Sequence, residues 1–416
     1  MKNNLKANLP HLGILGKRNV GKSSLMNLLI GQDISIVTDQ PGTTTDPVKK
    51  QIELGDFGAA VLIDTAGIDD QGDGDLSLLR VKASRRIIEQ LDFAIIVIAE
   101  NDFNSYEEEL ISTLISLKTP YIVIHNKKDL QTIDPNLKAA IEKKFATNVF
   151  EFSNKFTESR NRDELVRLIN KHFSVSILST PSIIGDLVNY GDLVVLVTPI
   201  DKEAPKGRLI LPQVQTIRDA LDNDCIVTIV KERELDIFLK KINIEPKLVV
   251  TDSQEFLKVA ATVPSHIPLT SFSILFARLK NDFNKLVSDT YKISELKDGD
   301  KVLISESCSH HASGDDIGRV KIPRWISNFT GKKIIFETVS GHDDLPANIA
   351  EYALLIQCGG CMLTRKQILN RMQKAIDKNV PITNYGMVIA YTQGIFSRAI
   401  SSFFQYNGKD LNYSSV

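Results

Sequence analysis

The sequence predicts an α/β protein of three consecutive domains, beginning with a doubly wound domain that carries a phosphate-binding loop. Three observations predict this architecture. Short apolar segments alternate along the chain with longer amphipathic ones, which is typical of parallel β/α structure. The first apolar segment leads directly into a glycine-rich loop. In the last third of the chain, two cysteine-containing segments each follow an apolar one.

The composition is that of an ordinary cytoplasmic protein. Of the 416 residues, 43% are hydrophobic and 24% are charged, and the formal net charge is -1. This near-neutral balance disfavours a dedicated nucleic-acid binder, because contacts to phosphates require a surplus of Lys and Arg. The chain has no apolar run long enough to span a membrane, and its N-terminal segment lacks the features of a secretory signal. We therefore expect a cytoplasmic protein that binds neither membranes nor nucleic acids.

The first motif joins a predicted strand to a predicted helix. Residues 12–15, LGIL, are followed at once by GKRNVGKS, residues 16–23, and then by the helical pattern SLMNLLI. This is the P-loop pattern in the context that it requires, because Gly16 and Gly21 allow main-chain amides to curl around nucleotide phosphates. A glycine-rich turn without a ligand is the alternative, and the later motifs argue against it.

The side chains of this loop have predicted roles at a nucleoside triphosphate. Lys22 is expected to reach the outer phosphates, and the Ser23 hydroxyl is expected to bind magnesium. Ser24, the next residue, belongs to the same predicted phosphate-binding segment. A later motif, VLIDTAG at residues 61–67, is an apolar strand that ends in an acid.

This acid, Asp64, is expected to hold the magnesium shell, and the Gly67 amide is expected to approach a γ-phosphate. With Lys22, and with Thr44 of a segment considered below, these two residues form the predicted catalytic group for phosphoryl transfer. All of them follow predicted strands in a β/α alternation.

A third motif predicts which base is bound. The strand YIVIHNKKD, residues 121–129, ends in polar residues. A carboxylate placed like Asp129 accepts from the N1 and N2 groups of guanine, which adenine cannot satisfy, so the motif favours GTP over ATP. Asn126 is expected to support the base and its loop, the Lys127 stem to cover the ring, and Ser153 to lie in the loop beneath the base. The predicted GTP-binding domain covers residues 1–175.

Two further positions refine the class of GTPase. Residues 39–47, DQPGTTTDP, resemble the first switch of the TrmE- and Era-like bacterial GTPases, in which the threonine that matches Thr44 binds magnesium. Ile68 stands where Ras-like proteins carry the glutamine that orients the attacking water, so hydrolysis is expected to be slow. In relatives with such an apolar residue, the asparagine that matches Asn19 binds potassium in place of an arginine finger. The resemblance implies a potassium-stimulated GTPase, and a purely structural role for Asn19 is the alternative.

The predicted middle domain, residues 180–266, is a small α/β unit. Its apolar strands are expected at residues 193–197, 225–230 and 247–251, with helical patterns between them. It carries no catalytic cluster, and Cys225 is interpreted as a core residue because it has no metal-spaced neighbour. Such a unit is suited to dimerisation or switching.

The predicted C-terminal domain, residues 267–416, opens with a helical pattern over residues 271–296. The strand DKVLISE then leads into Cys308, and the strand YALLIQ leads into Cys358 and Cys361. Because ligands gather at the carboxyl ends of strands in open α/β sheets, we expect the three sulfurs to converge.

Three cysteines with a neighbouring histidine fit two kinds of metal site. One is a zinc site, and the other is a 4Fe-4S cluster with one non-cysteine ligand. A structural zinc and two unrelated groups of cysteines are the simpler alternatives.

The order of these motifs resembles one family, the maturation GTPases of FeFe-hydrogenases known as HydF. GTPase motifs, a middle domain without catalytic motifs, CSH from Cys308 to His310 and CGGC from Cys358 to Cys361 all match the family pattern. Many members have a histidine immediately before the CxxC, where this chain has Gln357, which is a poor iron ligand. The fourth ligand therefore stays open: the candidates are His310, Glu306, Asp315, Asp316 and an exogenous molecule.

The resemblance implies a scaffold and carrier that hydrolyses GTP. Such a protein binds a 4Fe-4S cluster, receives a diiron precursor made by two radical-SAM maturases and delivers it to apo-hydrogenase. A homodimer through the middle domain is implied as well. A GTPase for ribosome assembly or tRNA modification with a structural zinc site is the alternative, and it would need an RNA-binding module that the downstream sequence does not reveal.

Overall fold

The computed structural model describes residues 9–31, 49–55, 58–64, 87–153, 158–177, 182–199, 209–307, 316–340, 343–361 and 363–405. The chain divides into two compact units, Met1–Thr180 and Pro181–Val416.

The first unit contains one sheet of six strands with helices on both faces. Its strands are β1 (His11–Leu15), β2 (Lys49–Glu53), β3 (Ala59–Asp64), β4 (Phe93–Ile98), β5 (Tyr121–His125) and β6 (Val149–Glu151). Its helices are α1 (Lys22–Ile30), α2 (Ser105–Ser116), α3 (Pro135–Phe145) and α4 (Glu158–Ile177). The strand order is β2-β3-β1-β4-β5-β6, and every pair is parallel except β2 with β3.

The apolar pattern of the strands explains why this sheet has two covered faces. Every residue of β4 is buried. Val97 faces a core shared with Leu25 of α1, whereas Ile96 faces a core shared with Ile111 of α2. Near-continuous apolar strands of this kind are expected where helices cover a parallel sheet on both sides.

The strand order also locates the ligand edge. β1 lies between β3 and β4, so the chain winds to one side of β1 and then returns to the other. The loop after β1 therefore opens at a topological switch point, where ligands bind in doubly wound sheets. The predicted fold class of this domain is confirmed.

The second unit contains two sheets of four parallel strands. The first consists of β7 (Leu193–Val197), β8 (Ile226–Val230), β9 (Leu248–Thr251) and β10 (Leu269–Ser271), in the order β10-β9-β7-β8. The other consists of β11 (Lys301–Ser305), β12 (Ile335–Val339), β13 (Tyr352–Gln357) and β14 (Ile382–Asn384), in the order β12-β11-β13-β14. In both sheets the first strand lies between the second and the third, and the fourth lies outside the third.

Helices connect and cover these sheets. They are α5 (Leu211–Asp222), α6 (Leu235–Lys241), α7 (Phe256–Thr262), α8 (Phe272–Lys280), α9 (Phe283–Thr290), α10 (Ile322–Thr330), α11 (Arg365–Asp377), α12 (Tyr385–Thr392) and α13 (Phe396–Gln405). Short 3₁₀ turns lie at Ser253–Glu255, Tyr291–Glu295 and Ile349–Glu351, and a π-helical turn lies at Ile317–Lys321.

The predicted helix over residues 271–296 is wrong in its continuity. The structure has β10 ending at Ser271, then α8, a break, α9 and a 3₁₀ turn. Asn281 adopts an extended conformation, and the Asp282 carboxylate accepts from the Lys285 amide at 3.1 Å. In a continuous helix the Lys285 amide would donate to a main-chain carbonyl one turn earlier. Here the Asp282 side chain accepts from it instead, so a new helix begins after Asp282.

One apolar core runs through the whole second unit. α8 packs against α5, α11 and α12, so it belongs to the surroundings of both sheets. Cys225 lies in this core with 6% of its surface exposed, as predicted. The division of the chain at residues 175–180 and 266–267 stays a prediction.

One side chain of the last described helix binds the segment at the end of α7. From α13, the Arg398 guanidinium donates to four main-chain carbonyls around the end of α7. They belong to Ala260 at 3.0 Å, Val263 at 2.9 Å, Pro264 at 2.7 Å and Ile267 at 3.4 Å.

Candidate functional site

The loop after β1 has a backbone that requires its glycines. The φ angles of Gly16 and Gly21 are +141° and +96°, which favour glycine. A Cβ atom at Gly16 would lie 2.2 Å from the Val97 carbonyl oxygen, and one at Gly21 would lie 2.2 Å from Asn126 Nδ2. Asn19 also has a positive φ of 64°, a conformation that asparagine tolerates better than most residues.

Lys22 begins α1 and points into this loop. Its side chain is 6% exposed, and its ammonium donates to the carbonyls of Gly16 at 2.5 Å and Lys17 at 2.6 Å. Ser23 and Ser24 occupy the first turn of α1 and are exposed. The positive end of the helix dipole and a buried ammonium thus lie together, which is the arrangement that binds anionic phosphates.

Asn126 joins the loop after β5 to the loop after β1. It is 2% exposed, and its Nδ2 donates to the Val20 carbonyl at 2.9 Å. The next residue, Lys127, has a φ of 60° and forms an ion pair of 2.8 Å with Glu100. The phosphate-binding and base-binding loops are therefore fixed relative to each other.

The two residues predicted to lie at the base are in direct contact. The Ser153 hydroxyl donates to Asp129 Oδ1 at 2.6 Å, and the Ser153 carbonyl accepts from Asn161 Nδ2 at 3.0 Å. These bonds orient a carboxylate at the carboxyl edge of the sheet. Its role at guanine stays a prediction.

Part of the predicted magnesium site lies outside the described residues. Thr44, Gly67 and Ile68 are not described, and of Asp64 the structure describes the backbone. Asp64 ends β3 and pairs in register with Ile14 of β1, so its backbone lies beside the loop that carries Lys22.

A second site lies at the carboxyl edge of the β11–β13 pair. Cys358 follows β13, and its amide donates to the Ser305 carbonyl at 2.9 Å. Its Sγ accepts from the Ser307 amide at 3.1 Å and lies 3.1 Å from the Ser307 hydroxyl. Ser307 immediately precedes Cys308 in the chain, so Cys358 lies beside the attachment point of the third predicted cysteine. Cys308 and His310 themselves lie outside the described residues.

The turn between Cys358 and Cys361 depends on glycine. Gly360 has a φ of +60°, and a Cβ atom there would lie 2.4 Å from Ile368 Cδ1. Both cysteines are free of disulfides, and each residue as a whole is half-buried. The Cys358 thiol itself is buried, and this burial raises its pKa. No group of three or more His, Cys, Asp or Glu side chains is found among the described residues, which leave out the segment of Cys308.

Two cations beside this turn were not predicted from the sequence. Lys280, the last residue of α8, is 3% exposed, and its ammonium donates to the carbonyls of Gly360 and Leu363, both at 2.8 Å. Burial lowers the pKa of Lys280 to about 8, although the charges of Cys361 and Cys358 act in the opposite direction.

The second cation is Arg371 of α11. It donates to the Glu306 carbonyl at 2.9 Å, while its Nε and Nη2 are buried and have no hydrogen-bond partner among the residues that the structure describes. Burial lowers its pKa, and the charges of Cys358, Asp343 and Asp344 oppose this shift. Basic residues are common on amphipathic helices, so the sequence around Arg371 does not indicate that its side chain lies near the cysteine turn.

The described candidates for a fourth ligand are engaged in other bonds. Glu306 forms an ion pair of 2.8 Å with Arg319 and accepts from the Ser340 hydroxyl at 3.1 Å. Asp316 accepts from the Arg319 amide at 2.7 Å. Gln357, which stands where many family members have a histidine and is not a candidate ligand, is 2% exposed and donates to the Ser307 hydroxyl at 3.0 Å. His310 and Asp315 lie outside the described residues.

The fold and the first site define the class of the N-terminal domain, which is a P-loop GTPase. Residues 11–127 match the family model of 50S ribosome-binding GTPases. Residues 183–281 match the dimerization domain of hydrogen maturase F, and residues 284–402 match its tetramerization domain. These two models together match more than half of the chain, which belongs to the hydrogen maturase F family.

Other similar proteins match the chain over shorter lengths. The tRNA modification GTPase MnmE of Mycoplasma mycoides is 38% identical over 162 residues, which are 38% of this chain and 33% of that protein. The MnmE of Moorella thermoacetica is 34% identical over 160 residues, which are 38% of this chain and 34% of that protein. The chain thus spans about a third of the length of these relatives.

Two solved structures are also similar. Aquifex aeolicus Era bound to GDP and aluminium fluoride is 20% identical, with a TM-score of 0.33, 57% of this chain covered and 99% of that chain. The G domain of the T. maritima FeoB iron transporter is 21% identical, with a TM-score of 0.29, 40% of this chain covered and 99% of that chain. Among the described residues, no helix combines the length and the apolar character needed to cross a membrane.

Proposed function

We propose that the chain is a cytoplasmic, GTP-hydrolysing maturation factor that binds a 4Fe-4S cluster through Cys308, Cys358 and Cys361. It delivers a diiron precursor, made by radical-SAM maturases, to apo-FeFe-hydrogenase. The observation that carries this proposal is the position of Cys358, whose sulfur accepts from the amide next to Cys308 at 3.1 Å. Membership of the hydrogen maturase F family supports it.

The residues at this edge fit an iron-sulfur cluster. Cysteine thiolates are the usual ligands of such clusters, and hydrogen bonds to their sulfurs tune the reduction potential. Here the Ser307 amide supplies such a bond to Cys358, and Gly360 gives the turn the conformation that lets Cys361 follow on the same loop. When bound, such a cluster would supply one iron whose fourth ligand is not a cysteine and is exchangeable, and Cys308, Cys358 and Cys361 would hold the other three irons. Zinc fits the same thiols, so metal analysis has to separate the two.

The GTPase site has a separate part in this proposal. Lys22 binds the outer phosphates and spreads positive charge where negative charge develops during hydrolysis. Ser23, Thr44 and Asp64 hold magnesium, and the Gly67 amide contacts the γ-phosphate. Gly16, Gly21 and Ser24 complete the phosphate cradle.

Base recognition and potassium complete the nucleotide site. The Asp129 carboxylate accepts from guanine while the Ser153 hydroxyl donates to that carboxylate and orients it. Asn126 and Lys127 support the base. Asn19 binds potassium, which takes the place of an arginine finger. The two matched maturase domains support assembly into oligomers, with a homodimer through the middle segment.

The test is anaerobic reconstitution of the full chain with iron and sulfide, followed by EPR spectroscopy of the reduced protein. The wild type is expected to show a 4Fe-4S signal, which a variant with Cys308, Cys358 and Cys361 replaced by alanine loses. Cys225→Ala is the matched control, because Cys225 is also a free cysteine but lies in the core. Stoichiometric zinc without a cluster would contradict the proposal, and GTP-dependent RNA binding by that zinc protein would favour the tRNA-modification or ribosome-assembly alternative.

Two further measurements test the remaining parts. Cluster-loaded protein that carries the precursor is expected to activate apo-FeFe-hydrogenase, measured as hydrogen evolution. GTP hydrolysis is expected to be faster in potassium than in sodium, and Asn19→Ala is expected to remove this difference. Equal rates in both salts for the wild type would assign Asn19 a structural role.

A further inference from the structure

We propose that Lys280 is the counter-charge of the cysteine turn: its ammonium holds the Cys361 segment and stabilises negative charge on the metal-bound thiolates. This inference rests on the proposed function, because it needs a metal at Cys358 and Cys361. It assigns Lys280 as a positioning residue that acts on the metal through the turn.

The geometry places the ammonium inside the turn. Lys280 Nζ donates to the Gly360 carbonyl on one side of Cys361 and to the Leu363 carbonyl on the other, both at 2.8 Å. The side chain is 3% exposed, so water screens this charge poorly. Since the two acceptors flank Cys361, the bonds fix the segment from which that sulfur projects.

The position of this charge points to the same role. The ammonium is buried and bonded to the carbonyls on both sides of Cys361, so its positive charge lies against the segment that carries this sulfur. Positive charge there favours the deprotonated thiolates that metals require. Thiolate ligands and an added electron both increase the negative charge of a cluster, and a nearby buried cation stabilises that charge.

A purely structural role is the competing explanation, because lysine also caps carbonyls. Arg398 is an example in the same unit, since it donates to four main-chain carbonyls around the end of α7, and no cysteine is among these partners. The two explanations differ in what charge does. A cap acts through hydrogen bonds, which a neutral amide also makes, whereas a counter-charge acts only when it is positive.

The position of Lys280 in the chain adds a consequence. Lys280 belongs to the segment that matches the dimerization domain, residues 183–281, whereas the cysteine turn lies in the segment that matches the tetramerization domain, residues 284–402. The segment that matches the dimerization domain therefore contributes a charged group beside the cysteine turn.

The test uses the full chain, reconstituted anaerobically and titrated with dithionite as the one-electron reductant, with EPR as the readout. Lys280→Met and Lys280→Gln are expected to shift the reduction equilibrium about tenfold toward the oxidised cluster, which is about 59 mV for one electron. Lys280→Arg keeps the charge and is expected to titrate like the wild type. Arg398→Met is the matched control, which lowers thermal stability without moving the equilibrium.

Several outcomes overturn the inference. Lys280→Gln with a wild-type midpoint, beside a shifted Lys280→Met, would show that hydrogen bonds alone matter. Wild-type midpoints for both neutral variants would remove any role of the charge.

Failure of the proposed function is visible separately, as a wild type that takes up no cluster. Cobalt(II) is then the probe, and its thiolate charge-transfer absorption is measured on the same variants. The neutral variants are expected to bind cobalt about tenfold more weakly than the wild type, because a cation that stabilises thiolates is lost. If a neutral variant folds but does not assemble a cluster, its cobalt affinity is compared with that of the wild type in the same titration. Equal cobalt affinities would overturn the inference.

Discussion

Gly21→Ala tests whether the phosphate-binding and base-binding loops act as one unit. Gly21 has a φ of +96°, and a Cβ atom there would lie 2.2 Å from Asn126 Nδ2. That amide donates to the Val20 carbonyl at 2.9 Å, and Asn126 is 2% exposed. The new methyl group therefore has to displace Asn126 and break a buried hydrogen bond, in addition to straining the backbone.

The expected loss of stability has two parts. The left-handed backbone costs roughly 1–2 kcal/mol for a residue with a side chain. Breaking the Asn126 bond and leaving a buried group without its partner costs roughly 1–3 kcal/mol more. The two parts add up to roughly 2–5 kcal/mol, and we take about 3 kcal/mol as the expected loss. For a domain of roughly 150–250 residues, this loss lowers the Tm by roughly 6–12 °C.

The assay is differential scanning calorimetry of the full chain, in which the transition that GTP shifts belongs to the first unit. Gly58→Ala is the matched control: its φ is +87°, and no atom of the described residues lies within 4 Å of an added Cβ. It carries the backbone strain alone, roughly 1–2 kcal/mol of the sum, so its Tm is expected to fall by about half as much. Equal losses in the two variants would refute the coupling of the loops through Asn126.

Three further predictions concern single side chains. Asp129→Asn is expected to lower GTP affinity by at least about 100-fold, because an amide cannot accept from both guanine N–H groups. The same variant is expected to gain affinity for xanthosine triphosphate. Both affinities are measured by competition with a fluorescent nucleotide. Burial lowers the pKa of His125 below 6.5, so the unfolded chain gains a proton first, and the free energy of unfolding falls as pH drops from 6.5 toward that lowered pKa. Denaturant titrations at pH 7.5 and 5.5 should show this loss in the wild type and a smaller one in His125→Leu; the same loss in both would contradict the assignment. Cys225→Ala should keep full iron content and lose about 1 kcal/mol of stability, and any fall in iron would give Cys225 a role at the metal.

The elements that local pattern predicts are those with long apolar runs. The runs LVVLV at residues 193–197 and YIVIH at residues 121–125 predict strands because they are almost entirely apolar. In the structure both are strands, and all of their residues except Tyr121 are buried. β10 and β14 were not predicted, since each has three residues and ends in a polar cap, Ser271 or Asn384. Their pairing is decided by the neighbouring strand and not by their own sequence.

The sites divide in the same way. Lys22, Asp129 and Ser153 lie in motifs whose spacing carries the chemistry, and the structure brings Asp129 and Ser153 into contact. Lys280 lies 81 residues before Cys361, and only tertiary packing of α8 places its ammonium at the turn. No local pattern contains that information.

The repeated strand order of the second unit means that one topology occurs twice in succession. In the first copy, β9 ends at Thr251, and Asp252 follows as a cap that accepts from Gln254. In the second copy, β13 ends at Gln357, and Cys358 follows. Equivalent corners of two modules with the same strand order thus lead into different loops: the third strand is followed by an acidic cap in one module and by the CGGC turn in the other, so the shared topology leaves the chemistry of this corner to the loop sequence.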